Sequence, residues 1–153
     1  MSKPAFQPSL KGHALRLLSQ REHSRSELER KLTPHAEEPG ELAKALDELQ
    51  ARDFINEGRV IESVVHRRAA KLGATRIKQE LASKGLSGDA VTQALAGLRE
   101  TEYSRALVIW RKKFDRPAAD PKERAKQVRF LLTRGFNADV VRKIIQGAEE
   151  LED

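Results

Sequence analysis

A chain of 153 residues with no cysteine has no disulfide, thiolate metal site or cysteine nucleophile. Its opening, MSKPAFQPSL, lacks the apolar run of a secretory signal, and no stretch reaches the roughly 20 apolar residues of a membrane span, so the expectation is a cytoplasmic protein without a membrane. With 34% charged residues, only 5% aromatics and a net charge of +6, the composition predicts an elongated array of small units that meets an acidic partner, nucleic acid or an acidic protein surface.

Residues 1–9, with two prolines, read as a disordered arm. A first helix over 10–20 places Ala14, Leu15 and Leu18 at helical spacing. Ser24 with Glu27 forms a capping box for a second helix carrying Leu28 and Leu32. A breaker loop over 34–40 follows, and Pro39 fits the first turn of a third helix, which carries Leu42, Ala45, Leu46 and Leu49 and runs through about Arg52. Next comes a helix with Val60, Ile61, Val64, Val65 and Leu72 on one stripe and Arg68 in the middle of it. Gly73 breaks that helix, Ile77 and Leu81 anchor another, and Gly85 supplies a left-handed turn. Ser87 is predicted to cap a helix that buries Val91, Ala94, Leu95 and Leu98. From about Thr101 a further helix aligns Tyr103, Ala106, Leu107, Trp110 and Phe114, with Trp110 and Tyr103 read as core. Asp120-Pro121 with Glu123 starts the next helix, anchored by Ala125, Val128, Leu131 and Leu132. Gly135 turns the chain, and Asn137 caps a last helix bearing Val140, Val141, Ile144 and Ile145. No segment alternates with period two, so the fold class is all-α.

The pattern repeats. Displacing the chain by 50 residues lays Leu131, Arg134, Gly135, Phe136 and Val141 on Leu81, Lys84, Gly85, Leu86 and Val91. Displacing it by 49 lays Leu28, Leu32, Leu42, Ala45, Leu46 and Leu49 on Ile77, Leu81, Val91, Ala94, Leu95 and Leu98. Three tandem three-helix, helix-turn-helix-like repeats follow, at 10–53, 54–99 and 100–148, with an acidic tail over 149–153.

Positive charge concentrates late. Over 104–147 the chain has twelve Lys and Arg against Asp115, Asp120, Glu123 and Asp139. Lys122, Lys126 and Arg129 share one face of their helix opposite the Ala125–Val128–Leu132 stripe, with Phe130 off that stripe, and Arg111, Lys112, Lys113 and Arg116 lie nearby in sequence. Arg67, Lys71, Arg76 and Lys78 form a second group of partner-contact candidates. Any single cation is more simply a solvated side chain; the clusters suit phosphates or acidic side chains. Arg68, in mid-stripe, implies a structural ion pair, with Glu80 or Glu57 supplying the carboxylate. Residues 81–95 have helix-turn-helix spacing, which keeps a DNA-binding transcription regulator as the alternative. Against base reading, 87–98 contains no Lys or Arg, and a repeated turn explains the spacing as architecture. Four histidines without metal-ligand spacing, no phosphate-binding loop and no nucleophile elbow leave no basis for an enzyme, a metal or a cofactor.

The run F-I-N-E-x-R-V, VVHRR and K-L-G-A-x-R-I-K-Q-E-L-x-S-K-G-L over 54–86, with W-R-K-K-F at 110–114 and VRFLLTRGFNADVVRKII at 128–145, resembles the bacterial RecX regulatory proteins. The resemblance spans about Leu10 to Ala148. The chain departs from the common pattern at Asn56 and Val60, where an acidic residue and an aromatic often stand. The resemblance implies three tandem repeats in a curved body and a non-enzymatic, monomeric modulator. Its partner would be the RecA filament on single-stranded DNA, with weak nonspecific nucleic-acid binding, and it would inhibit RecA ATPase, filament growth and recombination in homologous recombination and the SOS response.

Overall fold

The computed structural model describes residues 8–151. Most of the predicted N-terminal arm, 1–7, lies outside the described residues, as do Glu152 and Asp153 of the predicted acidic tail; Glu149 and Glu150 belong to the last helix. Among the described residues there are nine α-helices, one short 3-10 turn and no strand. They are α1 (Leu10–Gln20), α2 (Arg25–Leu32), α3 (Glu41–Ala51), α4 (Glu57–Arg68), α5 (Ala74–Ser83), α6 (Asp89–Glu100), α7 (Glu102–Lys113), α8 (Pro121–Thr133) and α9 (Ala138–Leu151). The helices come three to a repeat. By packing they gather into two compact units, 8–63 with Lys84–Leu86 and Val64–Ser83 with 87–151, so the middle repeat contributes to both.

Equivalent apolar positions are buried in each repeat. Leu32, Leu81 and Leu131 are all at or below 2% exposure, and Leu46 and Leu49 correspond to the buried Leu95 and Leu98. In the first unit Leu10, Ala14, Leu28, Leu32, Leu46, Leu49 and Ile55 form one core. In the second, Ala106, Trp110, Leu131, Phe136, Val141, Ile144 and Ile145 form another. Each fully buried leucine contributes about 1.5–3 kcal/mol, so the leucine ladder that defines the repeat also supplies much of its stability.

Two helix starts and one helix end differ from the sequence expectation. Gly40, with φ +81°, is the N-cap of α3, and Pro39 stands before it. Gly88 rather than Ser87 is the N-cap of α6; at φ +97° this is a backbone only glycine adopts without strain. Helix α4 ends at Arg68, and the Lys71 and Leu72 amides both turn back to the Arg68 carbonyl. Leu72 therefore falls off the predicted stripe, and Arg68 stands at its end rather than in its middle.

The same joint is built twice. In the first unit the Ser24 hydroxyl accepts from the Glu27 amide and donates to the Lys84 carbonyl at 2.6 Å, while Glu27 accepts from the Ser24 amide at 3.1 Å. The N-terminus of α2 is thereby both capped and tied to the turn that follows α5. In the second unit the Gly73 amide donates to the Arg134 carbonyl at 2.8 Å and the Thr75 amide to the Gly135 carbonyl at 3.2 Å. Here the N-terminus of α5 meets the turn that follows α8, one repeat further on. Arg76 completes this joint by donating to the Thr133 carbonyl at 2.9 Å. The turn glycines, Gly85 at φ +76° and Gly135 at φ +90°, leave no room for a side chain: a Cβ would stand 2.7 Å from Ser26 Cβ in one and 2.6 Å from Arg76 Cβ in the other.

Glu27 is the ionic centre of the first joint. Burial opposes its ionisation, but the Arg21 guanidinium, the Ser24 amide and Lys84 outweigh it and hold the carboxyl at about 2. Arg21 lies 2.7 Å and Lys84 3.2 Å from Glu27 Oε2. His23, one residue before the cap, is buried; desolvation lowers its pKa below 6.5. Its ring nitrogens lie 3.0 Å from the Arg21 carbonyl and 3.1 Å from Lys31 Nζ. With Nδ1 donating and Nε2 accepting, the neutral ring satisfies both partners.

Two measurements probe these joints. Gly135→Ala must place a left-handed backbone on an alanine and push its Cβ into Arg76, and is expected to lower stability in urea by about 3 kcal/mol. Gly97→Ala on exposed α6, where a Cβ meets nothing within 4 Å, is expected to raise stability by about 0.5–1 kcal/mol. For Glu27 the folded pKa is depressed, so the stabilisation is present above its ordinary value and is lost as pH falls toward about 2. Urea titrations across pH should show stability declining first below 6.5 as His23 is protonated in the unfolded chain, then again below about 4.5. Glu27→Gln, which keeps a capping acceptor, should show a shallower lower step, with Glu48 and Asp53 still contributing to it, and lose on the order of 3 kcal/mol at neutral pH.

Candidate nucleic-acid interface

The region from α7 to α8 is held by a small set of polar groups. Asp120 caps α8 by accepting from the Glu123 amide at 2.7 Å, and Pro121 fills the first helical position, where no amide is required. Gln127 is 2% exposed; it accepts from the Trp110 indole N–H at 2.9 Å and donates to the Arg116 carbonyl at 3.1 Å. One glutamine thus fixes both the α7–α8 contact and the loop that presents Arg116.

This arrangement rotates α8 relative to the sequence expectation. The buried positions are Gln127 and Leu131, whereas Ala125 is exposed, Val128 is half-buried and Leu132 is 44% exposed. A polar residue at the centre of the buried face shifted the apparent stripe. Phe130 is a core-edge residue rather than a free apolar group: it packs edge-on against Phe114, with ring centroids 5.4 Å apart and planes at 88°. Tyr103, expected in the core, is 43% exposed, whereas Trp110 is buried.

Lys122, Lys126 and Arg129 are exposed on one side of α8. Arg111, Lys112 and Lys113 are exposed at the end of α7, and Arg116 in the loop after it. Among the described residues none of these seven cations is in an ion pair, in contrast with the first unit, where Lys11 pairs with Glu48, Arg21 with Glu27, Arg25 with Glu29 and Asp47, and Arg59 with Glu22 and Asp53.

The second group of candidates divides by what each cation is bonded to. Lys71 and Lys78 are exposed, without an ion pair among the described residues. Arg76 is committed to the joint at Thr133. Arg67 lies 4.0 Å from Glu80 Oε2, and Arg68 Nε donates to Glu80 Oε1 at 3.0 Å. The Arg68 side chain is 42% exposed, so this bridge contributes about 1 kcal/mol or less.

Two linking residues went unnoticed in the sequence. Glu102, 2% exposed, accepts from the Ala74 amide at 2.6 Å and the Asn137 amide at 3.2 Å, serving the starts of α5 and α9 with one carboxylate. Arg105 donates to the carbonyls of Ala69, Leu72 and Leu98, at 2.7, 2.8 and 2.8 Å; desolvation there lowers its pKa. Their partners lie 28 to 36 residues away or on a neighbouring helix end, and locally both resemble ordinary first-turn residues. Arg134 was also overlooked as a cation, although its alignment with Lys84 marks a basic residue before the turn glycine in two repeats.

The helix-turn-helix element is poor in base-reading chemistry. Asp89, Ala90, Thr92 and Gln93 are exposed at the start of α6, and the Thr92 hydroxyl is turned back to the Gly88 carbonyl. Among the described residues no group of three or more His, Asp or Glu is placed to hold a metal ion, and no helix is long and apolar enough to cross a membrane.

Comparison with known proteins matches residues 11–49 to the first three-helix domain of RecX, 56–95 to the second and 100–145 to the third. Regulatory protein RecX of Leptothrix cholodnii is 54% identical over 147 residues, covering 96% of this chain and 94% of the relative. Regulatory protein RecX of Ralstonia nicotianae is 49% identical over 153 residues, covering 100% and 96%. Among solved structures, RecX from Lactobacillus salivarius superposes with a TM-score of 0.78 at 25% identity, covering 92% of this chain and 95% of that one. The three-helix repeats, the glycine turns and this identity over nearly the whole length place the chain in the RecX family of regulatory proteins.

Proposed function

We propose that this chain is a non-enzymatic, cytoplasmic regulator that binds the RecA filament on single-stranded DNA as a monomer and restrains ATP hydrolysis and filament growth, in homologous recombination and the SOS response. Membership in a regulatory family supports the regulatory part. The observation that carries the binding part is the run of seven cations from Arg111 to Arg129 that are exposed and, among the described residues, in no ion pair, in contrast with Lys11, Arg21, Arg25 and Arg59 of the first unit, which pair with carboxylates. Unpaired cations attract phosphates or acidic side chains without first having to release an internal partner. Each such contact is weak, and contacts made by repeats 10–53, 54–99 and 100–148 on one chain add through effective concentration. A protein that touches neighbouring filament subunits in this way resists the rearrangement that turnover and growth require. Lys71 and Lys78, and Arg67 beside its acid, contribute secondary contacts.

RecA ATPase on single-stranded DNA with substoichiometric protein tests this reading, with inhibition as the expected result. No inhibition together with tight, site-specific duplex binding would shift the assignment to a transcription regulator. The triple change Lys122→Glu, Lys126→Glu and Arg129→Glu should weaken inhibition by about tenfold or more at low salt with an unchanged helical spectrum. Unchanged inhibition would remove that face from the interface.

A further inference from the structure

Lys113 Nζ stands 5.5 Å and the Arg134 guanidinium carbon 5.0 Å from the centre of the Phe130 ring, and Phe114 packs against that ring edge-on. The ring is fixed, because Phe130 and Phe114 both pack against the core of the second unit. A cation over an aromatic face is held by the ring quadrupole while its remaining N–H groups stay available. Neither cation is in an ion pair among the described residues, and the Lys113 side chain belongs to an exposed residue. Long basic side chains lose much of their rotamer freedom when they bind an anion; here part of that freedom has already been given up to the ring.

We infer that Lys113 and Arg134, pre-ordered over Phe130, form a two-cation seat for the phosphodiester backbone of a single-stranded nucleic acid. The inference rests on the reading above and gives that surface a specific ligand contact. A polyanion with regularly repeated charge fits the setting better than a lone carboxylate, since Arg111, Lys112 and Arg116 continue the unpaired positive run beside Lys113. Phe130 acts as a positioning residue: its ring is half-buried against Phe114 and the core, and its effect on the ligand passes through the two cations.

The test is binding of fluorescently labelled oligo-dT to the whole chain, followed over a range of salt concentrations without RecA. Lys113→Gln with Arg134→Gln should flatten the dependence of log affinity on log salt by about 1.4, two phosphate contacts to a single strand. Replacing Phe130 by its ring-trifluorinated analogue keeps the shape and both charges but removes the negative face. That variant should keep the parent's salt slope and melting temperature and bind about 3- to 10-fold more weakly. Equal affinity of the fluorinated and parent proteins would overturn the positioning role, and an unchanged slope in the double variant would place the phosphates elsewhere. Failure of the parent to bind oligo-dT while binding poly-glutamate would assign the seat to an acidic protein instead. Because no filament is present, these failures are separable from a failure to inhibit RecA ATPase, which bears on the regulatory reading alone.

Discussion

A turn that only glycine can make, seated against the start of a helix from the preceding repeat, is the contact on which the repeat architecture depends. At Gly135 the positive φ and the closeness of Arg76 exclude any Cβ, and Gly73 approaches the same turn so closely that its own missing side chain is needed as well. The Gly73 and Thr75 amides can then reach the Arg134 and Gly135 carbonyls with no side chain between the two backbones. The Gly85 joint reaches the same end by different chemistry: Ser24 rather than a backbone amide makes the contact, and Glu27 with Arg21 and Lys84 adds charge. An exposed helix start would satisfy its amides with water. Here those amides and the cap are directed to a neighbour, so local capping becomes tertiary structure.

Glu102 and Arg105 extend this principle from one end of a helix to both. The carboxylate lies where two helix N-termini concentrate positive potential, and the guanidinium lies where helix C-termini present carbonyls. Both side chains come from α7, one helical turn apart, so the first turn of the last repeat clamps groups of opposite polarity in the repeat before it. Charge spent in this way stabilises the fold. Among the described residues Arg111, Lys112 and Lys113 at the end of α7, Arg116 after it, and Lys122, Lys126 and Arg129 on α8 are in no ion pair, whereas Arg124 on α8 pairs with Glu149.

The repeat was legible in the sequence because it rests on features visible at short range: leucines at helical spacing, glycines after them, the capping box at Ser24 and the cap at Asp120. What escaped were groups whose meaning depends on distant partners. Gln127 looks like a surface residue until the Trp110 indole is seen to point at it; that reading displaced the predicted core stripe of α8 and left Phe130 looking unpacked. Glu102 looks like a favourable first-turn acid, and nothing local reveals the amides of Ala74 and Asn137. The expected α8 cations are indeed exposed together, because exposure of a basic face follows from amphipathicity alone. The placing of Lys113 and Arg134 over one ring could not be foreseen, since it requires the α7–α8 crossing. Arg76 is exposed but also gives one N–H to the Thr133 carbonyl, a tie that nothing local reveals.

The same distinction bears on the helix-turn-helix likeness of 81–95. In a base-reading motif the turn is a spacer and the start of the second helix is left free to enter a groove. In this chain the turn at Lys84–Leu86 is occupied by the start of α2, and the start of α6 offers an acid, small residues and a threonine bonded to its own helix. The motif geometry is therefore used inward, to join repeats, and what it leaves at the surface is Asp89 and Gln93, with no Lys or Arg over 87–98 to hold them against a phosphate backbone. Under the function proposed above, recognition on this scaffold falls to the long basic side chains of α7 and α8. These carry charge without a fixed hydrogen-bond pattern for base edges, and so suit the regular backbone of a filament rather than a particular sequence.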